Sequence, residues 1–118
     1  MKRSHAPIFW LLFGAGGMVA ALFGVAMVWI GNFDAAFGLL INPNLLSFDN
    51  MRAFARHPIG QLFLFATTSL FAWHAMHRIF HSLHDAGISA GTVAKLVCYG
   101  GAMAITITAG TALLTLAK

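Results

Sequence analysis

The sequence predicts an all-α integral membrane protein that forms one domain, residues 1–118, with three transmembrane helices. Hydrophobic residues make up 59% of the 118 residues and charged residues 8%, whereas a soluble domain is about 25% charged. Three apolar segments each reach the length of about 20 residues that crosses a bilayer core of about 30 Å. Because the termini are short, they leave no room for a soluble domain beside these helices.

The first predicted span covers residues 8–30, an uncharged run that follows Pro7. Proline is tolerated at the start of a helix because its missing N–H would be unpaired there. The link that follows contains a turn signal, INPN, at residues 41–44. It ends in a short interfacial helix at about residues 47–57, which Ser47 is placed to cap and which carries Met51 and Phe54 on one face.

The second predicted span covers residues 58–80 and is uncharged from Ile59 to Met76 apart from His74. It continues as a histidine-rich stretch that ends at Asp85. The third predicted span covers residues 92–117 and carries Lys95 near its start. All three spans together predict a multi-pass membrane protein.

Basic residues near the span ends predict a cytoplasmic N-terminus and a periplasmic C-terminus, because cytoplasmic loops carry an excess of Lys and Arg. This orientation puts four basic residues inside and three outside. Those inside are Lys2, Arg3, Arg78 and Lys95, and those outside are Arg52, Arg56 and Lys118.

Small residues form a stripe on the first and third spans, and such stripes let membrane helices approach closely. The members of each stripe lie within an arc of about 80°. They are Gly14, Gly17, Ala21 and Gly24 on the first span, and Gly101, Ala104, Thr108, Thr111 and Thr115 on the third. The stripes pack either within the chain or against a second membrane protein of the same complex. Three short helices bury little by themselves, so a partner is favoured.

Several other function classes do not fit the sequence. The seven Lys and Arg residues are scattered and could not track nucleic-acid phosphates. The GAGG run at residues 14–17 follows no strand, so it is not a nucleotide-binding loop. The first apolar run is too long for a signal peptide and is interpreted as a retained helix. Cys98 has no partner for an internal disulfide and is interpreted as a packing residue.

Four of the six histidines, His74, His77, His81 and His84, fall in the second span and its extension. Their spacings of three and four residues place them on one helix face, within about 80°. A zinc site could use the pair His77 and His81, but no Cys or Glu is near enough to complete it. A haem would need one axial imidazole from this chain. The third alternative is a quinone site, which needs hydrogen-bond donors beside an aromatic wall.

Depth in the membrane favours the quinone site. The second span enters from outside at Pro58 and, at 1.5 Å per residue, reaches the inner rim of the bilayer after about 20 residues, near His77 and Arg78. Trp10 and Phe13 lie near the same rim at the start of the first span, as does Lys95 at the start of the third. Ionisable groups at membrane depth are expensive and therefore point to function. An imidazole can also pass protons near neutral pH.

Simpler interpretations stay open for several of these side chains. Trp10 fits an aromatic anchor in the membrane interface, and Arg78 fits a positive charge facing lipid headgroups. His81 and His84 fall beyond the hydrocarbon, in water or against a soluble partner.

At these residues the chain resembles the small membrane anchor, or D-subunit, of bacterial quinol:fumarate reductase (fumarate reductase), over nearly its whole length. The specific matches are KRSHAPIFWLLFGAGGM at residues 2–18 and the frame W-x-x-x-H-R-x-x-H-x-x-H-D at residues 73–85. The resemblance implies a three-helix anchor paired with a second membrane anchor, the C-subunit. Both would hold a flavoprotein and an iron–sulfur subunit on the cytoplasmic side. It also implies a shared menaquinone/menaquinol site, no haem and no metal in this chain, and FAD and iron–sulfur clusters in the partner subunits alone.

The resemblance also implies roles for particular residues. Trp10, Phe13, His77 and Arg78 would bind the quinone, while His81, His84, Asp85 and Lys95 would face the soluble subunits. His74 stands where the family usually has a small or uncharged residue, so it would belong to a modified pocket or an extra proton step. The chain itself would do no chemistry on fumarate. The alternatives are the anchor of a succinate:quinone oxidoreductase and a purely structural anchor without quinone contact.

Overall fold

The residues that the structure describes form four helices, and three of them are long. Helix α1 covers Pro7–Asp34, α2 Phe48–Arg56, α3 Pro58–Asp85 and α4 Thr92–Leu116. A short 3₁₀ turn, Pro43–Leu46, precedes α2. The computed structural model describes residues 6–34, 37–38, 42–88 and 91–118, and these residues contain no β-strand. The all-α prediction is therefore confirmed for the described part of the chain.

Helix α1 is not a regular α-helix along its whole length. It is α-helical over Ala6–Val19 and Val25–Val28, and its hydrogen bonding changes to the wider π pattern over Ala20–Gly24 and Trp29–Asp34. Each π turn adds a residue to the turn and so rotates the following side chains relative to an ideal helix. Faces extrapolated at 100° per residue from the first half of α1 therefore do not extend unchanged into the second half.

Two of the described helices, Pro7–Asp34 and Thr92–Leu116, are long and apolar enough to cross a membrane. Large apolar side chains lie exposed along α1, among them Leu11 at 74% and Leu22 at 67%. Such exposure is costly in water and suits a lipid or protein environment. The chain is therefore a membrane protein.

Helix α3 is as long as α1, with 28 residues, but Gln61, the run Thr67 to Ser69 and its histidines make it more polar. It lies between α1 and α4 and packs on both. Its neighbours therefore shield part of its polar surface. Its role as a third span, and the orientation of the termini, stay predictions. The basic residues Lys2 and Arg3 lie outside the described residues.

The packing register makes α3 antiparallel to both neighbours. Phe13 and Phe23 of α1 contact His74 and Phe63 of α3, respectively. The hydrogen bonds between α3 and α4 also indicate an antiparallel pair. His77 bonds Tyr99 near one end, and Gln61 bonds Leu113 near the other. One end of the bundle therefore gathers the start of α1, the end of α3 and the start of α4. We call it the histidine end, and the opposite end the Arg56 end.

At the Arg56 end, side chains of α2 and α3 bind the last turns of α4. Arg56 Nε donates to the carbonyl of Leu116 at 3.0 Å, and Gln61 Nε2 donates to that of Leu113 at 3.2 Å. The Leu116 carbonyl lies in the last turn, where carbonyls have no partner within the helix, so the Arg56 bond satisfies it. The Leu113 carbonyl also accepts from the Ala117 N–H at 3.2 Å, so the Gln61 bond is a second one.

The helix caps agree only in part with the prediction. Ser47 occupies the N-cap position of α2, but its side chain makes no capping hydrogen bond; the N-cap prediction is correct in position and wrong in chemistry. Instead Asn50 Nδ2 donates to the Asn44 carbonyl at 2.6 Å. Helix α3 is capped by His57, whose Nδ1 accepts from the Ile59 N–H at 3.3 Å.

The two predicted small-residue stripes are used differently. In α1, a Cβ on Gly17 or Gly24 would touch α3, whereas one on Gly14 would meet nothing within 4 Å. In α4, Gly101 approaches Met76 of α3. The remaining members of the α4 stripe, Ala104, Thr108, Thr111 and Thr115, are exposed. Cys98 is buried at 5% exposure, which confirms its interpretation as a packing residue.

Candidate functional site

A cleft of about 780 Å³ opens at the histidine end, lined by residues of α1, α3 and α4. Its walls are mainly aromatic and aliphatic, and its polar side chains come from α3 and α4. The aromatic side chains are Phe9, Trp10, Trp73 and Tyr99, and the polar ones are His77, Thr92 and Lys95. This combination of apolar walls with a few polar groups is typical of small-molecule sites.

His77 lies in the wall of this cleft with 9% of its surface exposed. Its Nδ1 lies 2.7 Å from the Tyr99 hydroxyl, which joins α3 to α4. On the α1 side, the ring centroids of Trp10 and Phe13 lie 6.1 Å and 4.6 Å from that of His77. The His81 ring follows one turn later at 4.4 Å. A buried imidazole is thus held between two helices and connected to an exposed one.

His74 lies one turn deeper and belongs to a different environment. Its ring stacks on Phe13, with 4.7 Å between centroids and 10° between planes. Its Nδ1 lies 3.0 Å from the Phe13 carbonyl oxygen. Because a carbonyl can only accept, Nδ1 of His74 carries the proton and donates. His74 does not line the cleft.

Two glycines of α1 make the room that His74 occupies. A Cβ on Gly16 would collide with the Leu70 carbonyl and lie 2.7 Å from the His74 Cβ, and a Cβ on Gly17 would lie 3.0 Å from the His74 ring. The collision of Gly16 with backbone requires the helices to move apart, whereas at Gly17 the His74 ring would have to shift by a few tenths of an ångström. The glycines therefore let α1 cross α3 closely enough for the Phe13 carbonyl to reach His74. Gly17 belongs to the packing stripe predicted from the sequence, whereas Gly16 was missed.

The structure brings together some of the predicted site residues and separates others. Trp10, Phe13 and His77 contact one another, and Lys95 lines the same cleft. The remaining predicted residues are exposed near the histidine end, and of these His81 touches His77. They are Arg78, His81, His84 and Asp85. Arg78 is not among the residues that line the cleft, so its quinone role stays a prediction.

Three aromatic residues of the cleft, Phe9, Trp73 and Tyr99, were not predicted from the sequence as site residues. Their rings touch one another, with centroids 5.8 to 6.4 Å apart. The available signal was depth, since each lies within a few residues of Trp10, His77 or Lys95 in its own helix. For Tyr99 a second signal was its hydroxyl, because a tyrosine inside an apolar helix usually finds a hydrogen-bond partner.

A metal centre finds no support at this end of the bundle. Within the described ranges, no group of three or more His, Cys, Asp or Glu side chains is arranged to hold a metal ion.

Comparison with known proteins connects this chain to one family. Residues 1–114 match the family described as the fumarate reductase D-subunit. The fumarate reductase D-subunit of Vibrio vulnificus is 43% identical over 98 residues, which cover 83% of this chain and 78% of the relative. That of a Shewanella species, strain W3-18-1, is 42% identical over 109 residues, 92% of this chain and 88% of the relative. That of Vibrio cholerae is 40% identical over 104 residues, with 88% and 79% covered.

Proposed function

Since this chain belongs to the fumarate reductase D-subunit family, we propose that it is a three-span inner-membrane anchor that helps to form the menaquinol site of a quinol:fumarate reductase. The observation that carries this proposal is the buried imidazole of His77 in the wall of an aromatic cleft. Burying an ionisable side chain at the rim of an apolar bundle costs free energy, so its presence there points to a function. The aromatic walls around it suit a flat, conjugated ring.

The residues of the cleft fit a quinone by size and chemistry. A volume of about 780 Å³ falls within the usual range of about 300–1,000 Å³ for small-molecule sites. A quinone ring needs apolar surfaces on its faces and hydrogen bonds at its oxygens. Trp10 and Trp73 offer the former, and His77 and Tyr99 offer the latter. The side of the cleft that opens away from the bundle leaves room for a wall from another protein of the complex.

The chain would bind, orient and exchange protons rather than act on fumarate. A bound quinol supplies two electrons and two protons when it is oxidised. His77 is the side chain in the cleft that accepts and releases protons near neutral pH. Trp10 would pack on the quinone ring. The Phe13 ring packs against His77, with 4.6 Å between their centroids. Lys95, exposed at the mouth of the cleft, adds a positive charge where the soluble subunits would dock.

The exposed face of α4 indicates that a helix of another protein packs there. Three threonines on this face donate to carbonyls of their own helix: Thr108 to Ala104 at 2.8 Å, Thr111 to Thr108 at 3.0 Å and Thr115 to Ala112 at 2.7 Å. Because their hydroxyls are satisfied, the face presents small, largely apolar groups. Such a surface suits close packing against another membrane helix. We assign it to the second membrane anchor, the C-subunit.

The histidine end is the side on which the flavoprotein and iron–sulfur subunits would attach. It carries five exposed ionisable side chains, Arg78, His81, His84, Asp85 and Lys95. In the sequence, four basic residues, Lys2, Arg3, Arg78 and Lys95, lie near the span ends assigned to the inside, against three on the other side, Arg52, Arg56 and Lys118. The histidine end is therefore cytoplasmic in this proposal. A fusion at Lys118 checks it: alkaline phosphatase fused there should be active and a green fluorescent protein dark, and the reverse pattern contradicts the orientation.

The central experiment replaces His77 in the assembled, membrane-bound complex. We expect His77→Gln to lower menaquinol-dependent fumarate reduction about 100-fold, in the range typical of a lost proton-transfer group. Fumarate reduction by a reduced viologen dye, which bypasses the membrane site, should stay unchanged. The matched control is His57→Gln, which alters a histidine at the other end of the same helix. If both variants oxidise menaquinol like the wild type, the chain is a purely structural anchor.

Two further measurements address the remaining alternatives. Identification of the quinone that co-purifies with the complex separates the fumarate reductase from a succinate:quinone oxidoreductase, because the quinone's potential sets the direction of electron flow. An absorption spectrum with flavin and iron–sulfur features alone is expected, and a Soret band would overturn the expected absence of haem.

A further inference from the structure

We propose that Tyr99 is a positioning residue that keeps His77 hydrogen-bonded while His77 changes protonation state. The inference rests on the proposed function, and it concerns how the proton-exchanging side chain is supported rather than which one it is. Its basis is the 2.7 Å contact between the Tyr99 hydroxyl and His77 Nδ1. Both side chains line the cleft, and they come from different helices.

The ring of Tyr99 is fixed by aromatic neighbours from both other long helices. Its centroid lies 5.8 Å from that of Phe9 on α1, and 6.1 Å and 5.7 Å from those of Trp73 and Phe80 on α3. Tilted ring contacts of this kind stabilise a particular ring orientation. The hydroxyl is therefore held at His77 by packing, and not by the hydrogen bond alone.

The chemistry of a hydroxyl suits a partner that titrates. A tyrosine hydroxyl can donate one hydrogen bond and accept others, whereas a carbonyl can only accept. When Tyr99 donates to Nδ1, neutral His77 carries its proton on Nε2. When Nδ1–H donates to Tyr99, Nε2 is free to accept a proton. The protonated imidazolium keeps the second arrangement, with N–H groups on both nitrogens.

It follows that Nε2 of His77 can change from acceptor to donor without leaving Nδ1 unpaired. An unpaired polar atom on a buried side chain costs roughly as much as the hydrogen bond it has lost. In the transfer itself an O–H bond of the quinol breaks and an Nε2–H bond forms. The second quinol proton would leave from the other ring oxygen to water, and the two electrons would pass to the iron–sulfur subunit of the proposed complex. His77 then releases the proton to water or to the exposed ring of His81, whose centroid lies 4.4 Å from that of His77. This release restores the neutral imidazole.

The first test is spectroscopic and needs no turnover. The complex is labelled with [¹⁵N]histidine, and the His77 resonances are assigned as those that are lost in His77→Gln. In the wild type, we expect the Nδ1 resonance of His77 at a hydrogen-bonded position. In Tyr99→Phe, which removes the hydroxyl and keeps the ring, that resonance should shift. A wild-type Nδ1 resonance at the position of a free imidazole overturns the inference, even if the variant fails to assemble.

The second test separates positioning from binding by kinetics. We expect Tyr99→Phe to lower kcat for a short-tailed menaquinol about 10-fold, the value of one hydrogen bond, with KM changed less than about twofold. The solvent deuterium isotope effect on kcat should rise, because proton transfer becomes slower. Thr106→Val is the matched control: it also removes a partly buried hydroxyl from α4, but one that donates only to Ala102 of its own helix at 2.9 Å.

The outcomes distinguish this inference from the proposed function. If His77→Gln leaves menaquinol oxidation unchanged, the proposed function fails, and the role of Tyr99 fails with it. If His77→Gln abolishes oxidation while Tyr99→Phe matches Thr106→Val in resonances, kcat and isotope effect, the quinone role stands and the positioning role is wrong.

Discussion

His74 and His77 lie one turn apart on the same face of α3, yet their surroundings differ. His77 lines a cleft that opens from the bundle. His74 faces α1 where Gly16 and Gly17 leave just enough room for its ring. The partner atoms differ as well: a hydroxyl for His77 and the Phe13 carbonyl for His74. Identical residues at helical spacing thus receive different roles from the helix across from them.

The donor and acceptor capacity of the partner explains this difference. A carbonyl fixes the proton of a neutral imidazole on the bonded nitrogen, so His74 is held in one tautomer. The Tyr99 hydroxyl can form a hydrogen bond with either neutral tautomer of His77 and with its protonated form, because it can both donate and accept. Because His77 lines the cleft and His74 does not, His77 suits proton exchange and His74 suits a fixed contact between helices. Substitutions that change one side of this comparison should leave the other side largely unaffected.

The largest effect is expected from Gly16→Val, which closes the space around His74. A side chain there would collide with the Leu70 carbonyl and the His74 Cβ. Backbone atoms at a helix crossing cannot move aside locally, so α1 and α3 must separate. We expect the amount of assembled complex in membranes to fall at least about tenfold, consistent with an overpacking cost of about 1–3 kcal/mol or more. Quantitative immunoblotting of solubilised, size-separated complex measures this.

Gly14→Val is the matched control for that experiment. A Cβ at Gly14 meets nothing within 4 Å, although Gly14, unlike Gly16, belongs to the small-residue stripe predicted from the sequence. Equal losses for the two variants would mean that the stripe faces another protein of the complex, and that the crossing at His74 does not decide assembly.

The second prediction concerns His74 itself. His74→Ala removes the ring that stacks on Phe13 at 4.7 Å and the bond to the Phe13 carbonyl. We expect the complex to lose about 2 kcal/mol of stability, since a hydrogen bond and a cavity are both involved. Menaquinol oxidation by the complex that remains should stay within about threefold of the wild type. Thermal unfolding followed by loss of assembled complex, and steady-state kinetics, measure the two effects.

A loss of menaquinol oxidation larger than the loss of stability would contradict this assignment. It would return His74 to the role in an additional quinone or proton step that the sequence leaves open.

Much of this architecture could be predicted from the sequence, because hydrophobic length and proline position determine where membrane helices begin and end. The third predicted span, residues 92–117, differs from Thr92–Leu116 by one residue. The interfacial segment at about 47–57 corresponds to Phe48–Arg56. Helix α3, the second predicted span with its histidine-rich extension, continues to Asp85. Gly87, two residues later, has a φ of 74°, which allows the chain to turn.

Contacts between helices could not be predicted in the same way. Helical spacing shows which residues share a face, but it does not give the rotation and register of one helix against another. The meeting of Tyr99 with His77 depends on that register. So does the choice of Gly16 over Gly14 at the crossing with α3. Depth gave a partial answer, since it correctly brought Trp10, Phe13 and His77 to one level.

The third prediction uses Phe13, the residue that touches both histidines. Its ring centroid lies 4.7 Å from that of His74 and 4.6 Å from that of His77. Phe13→Leu keeps an apolar side chain and removes both ring contacts. We expect a loss of about 1 kcal/mol in stability together with a two- to fivefold lower kcat/KM for menaquinol, about what one kcal/mol of positioning is worth. A change in only one of the two quantities would mean that Phe13 supports only one histidine.

The smallest effect is expected from Arg78→Gln. This variant tests whether the residue that follows His77 along α3 also takes part in the quinone site. Arg78 follows His77 directly, but successive residues of a helix point about 100° apart. Arg78 is exposed and does not line the cleft. An exposed guanidinium at the membrane rim contributes little to a neutral ligand behind an aromatic wall, so we expect kcat/KM for menaquinol to change less than about threefold. The same kinetic assay as for His77→Gln measures it. A loss comparable to that of His77→Gln would instead mean that Arg78 completes the quinone site once the other proteins of the complex are in place.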